Sequence, residues 1–172
     1  HSGDFKLDLT PVDDPSQYGV VEIDADGWVQ RFVEKPQPGE TSSNVVNAGT
    51  YVLEPAVLDR IPENQKMSIE RVVFPAMVAD GRLAAMATDD YWIDTGRPDT
   101  YLQANLDLID GSRSRILSSV GVQAHVAASA SITHSVIGDN CVVEDGCVVS
   151  DSVLLPGAHI GARVRLERSL VV

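Results

Sequence analysis

Four short stretches of the chain carry residue types that could hold a polar, anionic ligand. In "VEKP", Glu34 supplies an acceptor and Lys35 a cation just ahead of Pro36, which has no backbone N–H. Trp28, Gln30 and Phe32 alternate with Val29, Arg31 and Val33 before them, so a strand is expected with both charges at its exit. Pro36 pushes Lys35 toward an extended conformation, which points the two side chains opposite ways at a sheet edge. Such a pair could grip a ligand that carries hydroxyls and an anion; the plainer reading is a solvated strand end closed by a turn. In "VVNAGTY", Asn47 and Gly49 interrupt an apolar strand. A buried amide needs partners, so Asn47 is either satisfied by backbone or aimed at a hydroxyl-rich ligand. In "YWIDTGRP", Asp94 follows Tyr91, Trp92 and Ile93, and Thr95 and Gly96 then turn the chain. A carboxylate there could hold Mg²⁺, an oxygen-seeking ion that bridges to phosphates, or could cap a helix. In "QYGVV", Gly19 beside Tyr18 allows close backbone approach to a ligand or simply begins a strand.

The elements that must position these residues alternate strand and helix as far as Gly111. "FKLDLT" alternates apolar and polar residues, "YGVVEID" and "WVQRFVE" flank "ADG" as a hairpin, and "VVNAGTYVL" reads as a buried strand. Ser68 is placed to cap a helix over "IERVVFPAMVAD", which Pro75 must kink or interrupt. A second helix starts at Pro98, repeats Tyr101, Leu102, Asn105, Leu106 and Ile109 on one face, and stops at Gly111. Residues 1–111 are therefore expected to form a mixed α/β domain.

From residue 112 the pattern changes. Apolar residues fall at Val120, Val126, Ile132, Ile137, Val143, Val149, Leu154, Ile160 and Leu166, in steps of six with two steps of five. This hexapeptide repeat marks residues 112–172 as a solenoid. "HSVI", "DSVL" and "RSLV" recur every seventeen residues, so each coil is three hexads less one residue, with Ser135, Ser152 and Ser169 stacked along one edge. Gly138, Gly146, Gly157 and Gly161 suit corners of positive φ. Cys141 and Cys147 hold the same place in successive hexads, which puts them on adjacent faces as buried free thiols, not as a disulfide. The last coil has no polar cap, so self-association through the solenoid, or further sequence, is expected to cover it.

At 172 residues the chain holds one domain or two small ones. A formal charge of −12 argues against nucleic-acid and anionic-membrane partners, and an anionic substrate then needs a local basic spot. No apolar run approaches a membrane span and no signal-peptide order is present at the amino terminus, so a cytoplasmic location is the default. The four histidines, His1, His125, His134 and His159, show no metal-ligand spacing.

Taken in order, the tyrosine-glycine, Glu-Lys-Pro, Asn-Ala-Gly and Trp-x-Asp-x-Gly pieces resemble the sugar-1-phosphate nucleotidyltransferase family over residues 7–110. The hexads are similar to the left-handed parallel β-helix that many members carry. Within the family, "SIERVVFP" and "YWIDTGRPDTYLQA" most resemble the mannose-1-phosphate guanylyltransferases. The resemblance implies a partial Rossmann-like transferase domain followed by that β-helix, with a sugar 1-phosphate and a nucleoside triphosphate, GTP favoured, as substrates. It implies that Gly19, beside Tyr18, meets the sugar through its backbone and that Glu34 accepts from sugar hydroxyls. Lys35 then binds the phosphate, Asn47 hydrogen-bonds the sugar, Gly49 makes room, and Asp94 is one of two carboxylates on Mg²⁺.

The family's glycine-rich nucleotide loop, with its Arg and Lys, has no counterpart in residues 1–20, where only Gly3 and Gly19 occur. The sequence therefore reads as the latter part of such an enzyme, expected not to catalyse nucleotidyl transfer alone, and "HSGDFKLD" reads as a seam. Other readings are a thymidylyl-, adenylyl- or uridylyltransferase acting on glucose 1-phosphate, a non-catalytic regulatory relative, and a hexapeptide acyltransferase with His125, His134 or His159 as base.

Overall fold

The computed structural model describes residues 5–111 and 118–172, so the "HSGD" opening and the start of the hexad region lie outside the described residues. The chain divides into two compact units, His1–Trp92 and Ile93–Val172.

The first unit is built on a five-stranded sheet. Its strands are β1 (Phe5–Pro11), β2 (Gly19–Ile23), β3 (Val29–Glu34), β4 (Val45–Leu53) and β5 (Leu83–Ala87), ordered β3-β2-β4-β1-β5. Only β1 and β5 run parallel. The alternation in "FKLDLT" puts Leu7 and Leu9 on one face, where Val21, Phe74, Met77 and Leu83 complete the core. Phe74 meets Phe32 and Tyr51 edge-on, each at 5.3 Å between ring centres. The β2–β3 hairpin closes on Asp24, whose Oδ1 accepts from the N–H groups of Asp26 and Trp28 at 3.0 and 2.9 Å, with Gly27 at φ 84°. The hairpin tip reaches β5, where Ala85 N–H donates to Gly27 O at 2.8 Å.

Two elements depart from their sequence expectation. Strand β4 is not buried throughout: Val46 is its one buried residue, and Val52 is exposed. Its pairing with β1 is broken between Leu7 and Leu9, where Ala48, Gly49 and Thr50 bulge and Gly49 takes φ 80°. Strand β5 has no counterpart in the sequence reading at all. Around Pro75 the outcome matches expectation. Ser68 Oγ accepts from Arg71 N–H at 3.2 Å, a π-helical turn spans Ile69–Val73, and helix α1 (Phe74–Ala79) carries Pro75 in its first turn.

The second unit opens with helix α2 (Pro98–Ile109) and continues as a parallel β-helix. Its faces are β6 (His125–Val126), β9 (Val142–Val143) and β12 (His159–Ile160); β7 (Ser131–Thr133), β10 (Val148–Ser150) and β13 (Arg165–Glu167); and β8 (Val136–Ile137), β11 (Val153–Leu154) and β14 (Leu170–Val171). Partners along each face differ by seventeen, as Val136, Val153 and Leu170 show. The hexad grammar starts only after Gly111, yet this unit begins at Ile93 because α2 packs on β8 and β11.

The serine column forms a ladder. Ser152 N–H donates to Ser135 Oγ and Ser169 N–H to Ser152 Oγ, both at 3.0 Å. Each hydroxyl donates back within its own coil, Ser152 to Ser150 O at 2.7 Å. Cys141 and Cys147 are buried and free, each thiol 3.1 Å from a backbone carbonyl. The corners follow the glycines only in part. Gly146 and Gly157 have positive φ, but Gly138 and Gly161 do not, and His134, Asp151, Arg168, Gln123, Asn140 and Arg163 take left-handed corner positions instead. Gly138 is required for closeness rather than turning, since a Cβ there would sit 2.7 Å from Leu154 O of the next coil.

Candidate functional site

The β2–β3 pairing sets Gly19 opposite Glu34, and β2–β4 sets Val20 opposite Val46. One residue further along that antiparallel register, Gly19 faces Asn47. Glu34, Gly19 and Asn47 therefore form one row across three neighbouring strands, on the same side as the core but at its rim. A Cβ on Gly19 would lie 2.7 Å from Phe32 Cζ and 3.0 Å from Glu34 Oε2, so glycine is what lets those side chains cross this shelf.

Glu34 is half-buried, and its carboxyl is pushed above the usual glutamate range, first by burial and then by the neighbouring Glu70 carboxylate; Lys35 and Arg71 oppose the shift. Lys35 corrects the sequence expectation. It is not extended but takes φ 53°, leaving the strand. Its N–H donates to Tyr18 O at 2.9 Å, closing the β2–β3 ladder, and the chain then turns to bury Pro36. A following proline pushes a residue toward extended backbone, and here the bond to Tyr18 O overrides that influence. The Lys35 side chain is exposed beside the row.

Asn47 is engaged on both sides of its amide. Nδ2 donates to Tyr51 Oη at 2.8 Å, and Oδ1 accepts from Gly49 N–H at 3.0 Å. One donor hydrogen and one lone pair remain for a ligand. Tyr51, with its hydroxyl pushed to higher pKa chiefly by burial, links Asn47 to Glu70. Tyr18 packs edge-on against Trp92 at 5.6 Å, and Trp92 Nε1 donates to Ala48 O at 3.0 Å, so the aromatic pair braces the Ala48–Gly49 bulge.

The structure thus gathers Tyr18, Gly19, Glu34, Lys35, Asn47 and Gly49 on one sheet. Asp94 belongs to the second unit. It is exposed, and its Oδ1 accepts from Gly96 N–H at 2.9 Å in a short turn. Sequence reasoning passed over Tyr51, Glu70, Arg71 and Trp92, though all four lie inside stretches it had singled out. No cluster of three or more metal-ligating side chains occurs among the described residues. Of the histidines, His134 Nδ1 contacts Asp151 Oδ1 at 2.7 Å and His159 Nε2 contacts Glu144 Oε1 at 2.8 Å; Glu144 is held below the usual glutamate range by that bond first and by the Ala162 N–H second. Among the described residues no helix is long and apolar enough to cross a membrane.

A family model described as nucleotidyl transferase matches residues 2–111, and one described as a GlmU-like, C-terminal hexapeptide matches residues 106–172. The chain belongs to the nucleotidyl transferase family, its transferase part followed by a hexapeptide-repeat region. Its relatives include the probable mannose-1-phosphate guanylyltransferase 1 of Oryza sativa subsp. japonica, 38% identical over 174 residues that cover 100% of this chain and 46% of the relative. Another rice relative, the probable mannose-1-phosphate guanylyltransferase 3, is 40% identical over 136 residues, 78% of this chain and 37% of its own. The mannose-1-phosphate guanylyltransferase catalytic subunit beta of Xenopus tropicalis is 46% identical over 103 residues, 59% of this chain and 28% of its own. The chain spans less than half the length of these relatives.

Proposed function

We propose that this chain supplies the sugar-phosphate side of a mannose-1-phosphate guanylyltransferase, which joins GTP and mannose 1-phosphate to give GDP-mannose and pyrophosphate. The observation that carries the reading is the Glu34–Gly19–Asn47 row with Lys35 beside it. Glu34 accepts from sugar hydroxyls, Asn47 adds its remaining donor and lone pair, and Gly19 leaves the shelf low enough for a ring to lie on it. Lys35 neutralises the sugar's phosphate, so that a phosphate oxygen can approach the α-phosphorus of the nucleotide and displace pyrophosphate in line. Such a reaction needs positioning and charge neutralisation more than covalent help. Arg71, near Glu34, adds a second cation to that side.

Asp94 suits Mg²⁺ as a single ligand: it is exposed, with one carboxylate oxygen committed to Gly96 and the other free of hydrogen bonds among the described residues. Mg²⁺ is commonly held by one or two carboxylates and completed by phosphates and water. When bound it would neutralise nucleotide phosphate charge.

The test is titration of the chain with mannose 1-phosphate and glucose 1-phosphate by calorimetry, with Lys35→Ala as control. Binding that prefers mannose 1-phosphate and is lost in Lys35→Ala supports the reading. Failure to bind any sugar 1-phosphate overturns it, and a preference for glucose 1-phosphate moves the assignment to a glucosyl relative. Release of pyrophosphate from GTP, compared with dTTP, ATP and UTP, identifies the base in any preparation that turns over.

A further inference from the structure

A cleft of about 610 Å³ lies inside the second unit, between α2 and one corner of the β-helix. Its solenoid wall is the column His134, Asp151 and Arg168, one residue per coil, with φ of 41°, 48° and 44°. Leu102 and Leu106 of α2, with Leu170 from the last coil, supply the apolar wall. None of the residues placed in the sugar-phosphate row lines it.

The charges in this cleft are unequally matched. Asp99 at its rim is held in a fork by Arg97, at 3.2 and 2.9 Å. Asp151 is engaged by His134; because a carboxylate only accepts, the ring donates from Nδ1 and keeps Nε2 as its remaining hydrogen-bonding atom. The Arg168 guanidinium has neither an ion pair nor a hydrogen bond among the described residues. The acids are thus satisfied internally and the arginine is not, in a chain whose formal charge is −12. A planar guanidinium is suited to a phosphate, which it can meet with two parallel N–H donors. A concave site with an apolar wall and a few convergent polar groups is also the usual make-up of a small-molecule pocket, and the volume falls in the usual range.

We propose that this cleft binds an organic phosphate of roughly nucleotide size, with its phosphate on Arg168 and its body against Leu102, Leu106 and Leu170. It is a second ligand site that shares no residue with the sugar-phosphate row, and the proposal does not rest on the guanylyltransferase reading.

The experiment titrates the chain with GMP, and separately with inorganic phosphate, by calorimetry, using wild type, Arg168→Gln, Arg168→Lys and Lys35→Ala. Glutamine is tolerated in this backbone conformation elsewhere in the solenoid, at Gln123 with φ 57°, and unchanged thermal unfolding of Arg168→Gln verifies that the corner survives. GMP is expected to bind wild type and Lys35→Ala alike, to weaken at least about tenfold in Arg168→Gln, and to weaken less in Arg168→Lys, as loss of a charge-assisted pair predicts. Three results overturn the proposal: no GMP binding, GMP binding indifferent to Arg168, or inorganic phosphate binding as tightly as GMP, which would leave the apolar wall without a role. If Lys35→Ala alone abolishes GMP binding, the nucleotide occupies the sugar-phosphate row and the cleft has no ligand of this class. Loss of mannose 1-phosphate binding with GMP binding intact would instead count only against the function proposed above.

Discussion

At Glu34 the ligand role proposed above and stability oppose each other. Its folded carboxyl titrates above the ordinary glutamate value because burial and Glu70 disfavour the charged form. With the folded value raised, the stability this group contributes is complete below the unfolded value of about 4.5 and is lost as pH rises through the folded one. Glu34→Gln is therefore expected to raise the melting temperature at pH 7 and to lose that advantage below pH ~4.5, while weakening sugar 1-phosphate binding. Melting curves across pH 4 to 8 decide it; an advantage independent of pH would show that charge is not the cause. Gly19 makes the complementary case. Gly19→Ala forces a methyl to within 2.7 Å of Phe32 Cζ and 3.0 Å of Glu34 Oε2, so it should cost about 1–3 kcal/mol by overpacking and abolish binding together. Unfolding in urea, with binding measured on the same sample, checks both effects.

At the scale of elements, what was legible in the sequence depended on whether a local pattern fixed the outcome. The hexads and the seventeen-residue period were legible because a β-helix repeats one backbone solution, so Ser135, Ser152 and Ser169 could be placed in one column before any coordinates. Strand β5 was not legible: "LAAMA" lacks β-branched and aromatic residues, and only its pairing with β1 makes it a strand. Lys35 was misread because its conformation is set by the bond to Tyr18 O, a long-range term that outweighs the local influence of Pro36. Tyr51, Glu70 and Arg71 escaped notice for a similar reason, since a network across β4 and the turn before α1 has no spacing to detect. The serine ladder supplies the test at this scale. Ser152→Ala removes the acceptor for Ser169 N–H and the donor to Ser150 O at a fully buried position. Leaving a partly buried N–H unpaired costs about 1–3 kcal/mol, so a clear fall in melting temperature is expected, whereas Ser169→Ala, at a half-buried residue whose hydroxyl bond to Glu167 O is exposed, should lose less.

For the whole molecule, the decisive feature is that the described residues form two apolar clusters, one in each unit. One centres on Leu7, Leu9, Phe74 and Met77, the other on Ile137, Val143, Leu154 and Ile160, and they share no residue. The first is a layer over a sheet with mixed strand directions; the second is a linear stack in which each coil is supported by its neighbours. Cores of such different construction are expected to unfold as separate cooperative units, so that a single unfolding temperature would not describe the chain. Calorimetry should then resolve two transitions, with Gly19→Ala shifting one and Ser152→Ala the other. A single transition moved by both substitutions would mean that the two cores share their stability, and that a change in the solenoid is felt at the row proposed to bind the sugar phosphate.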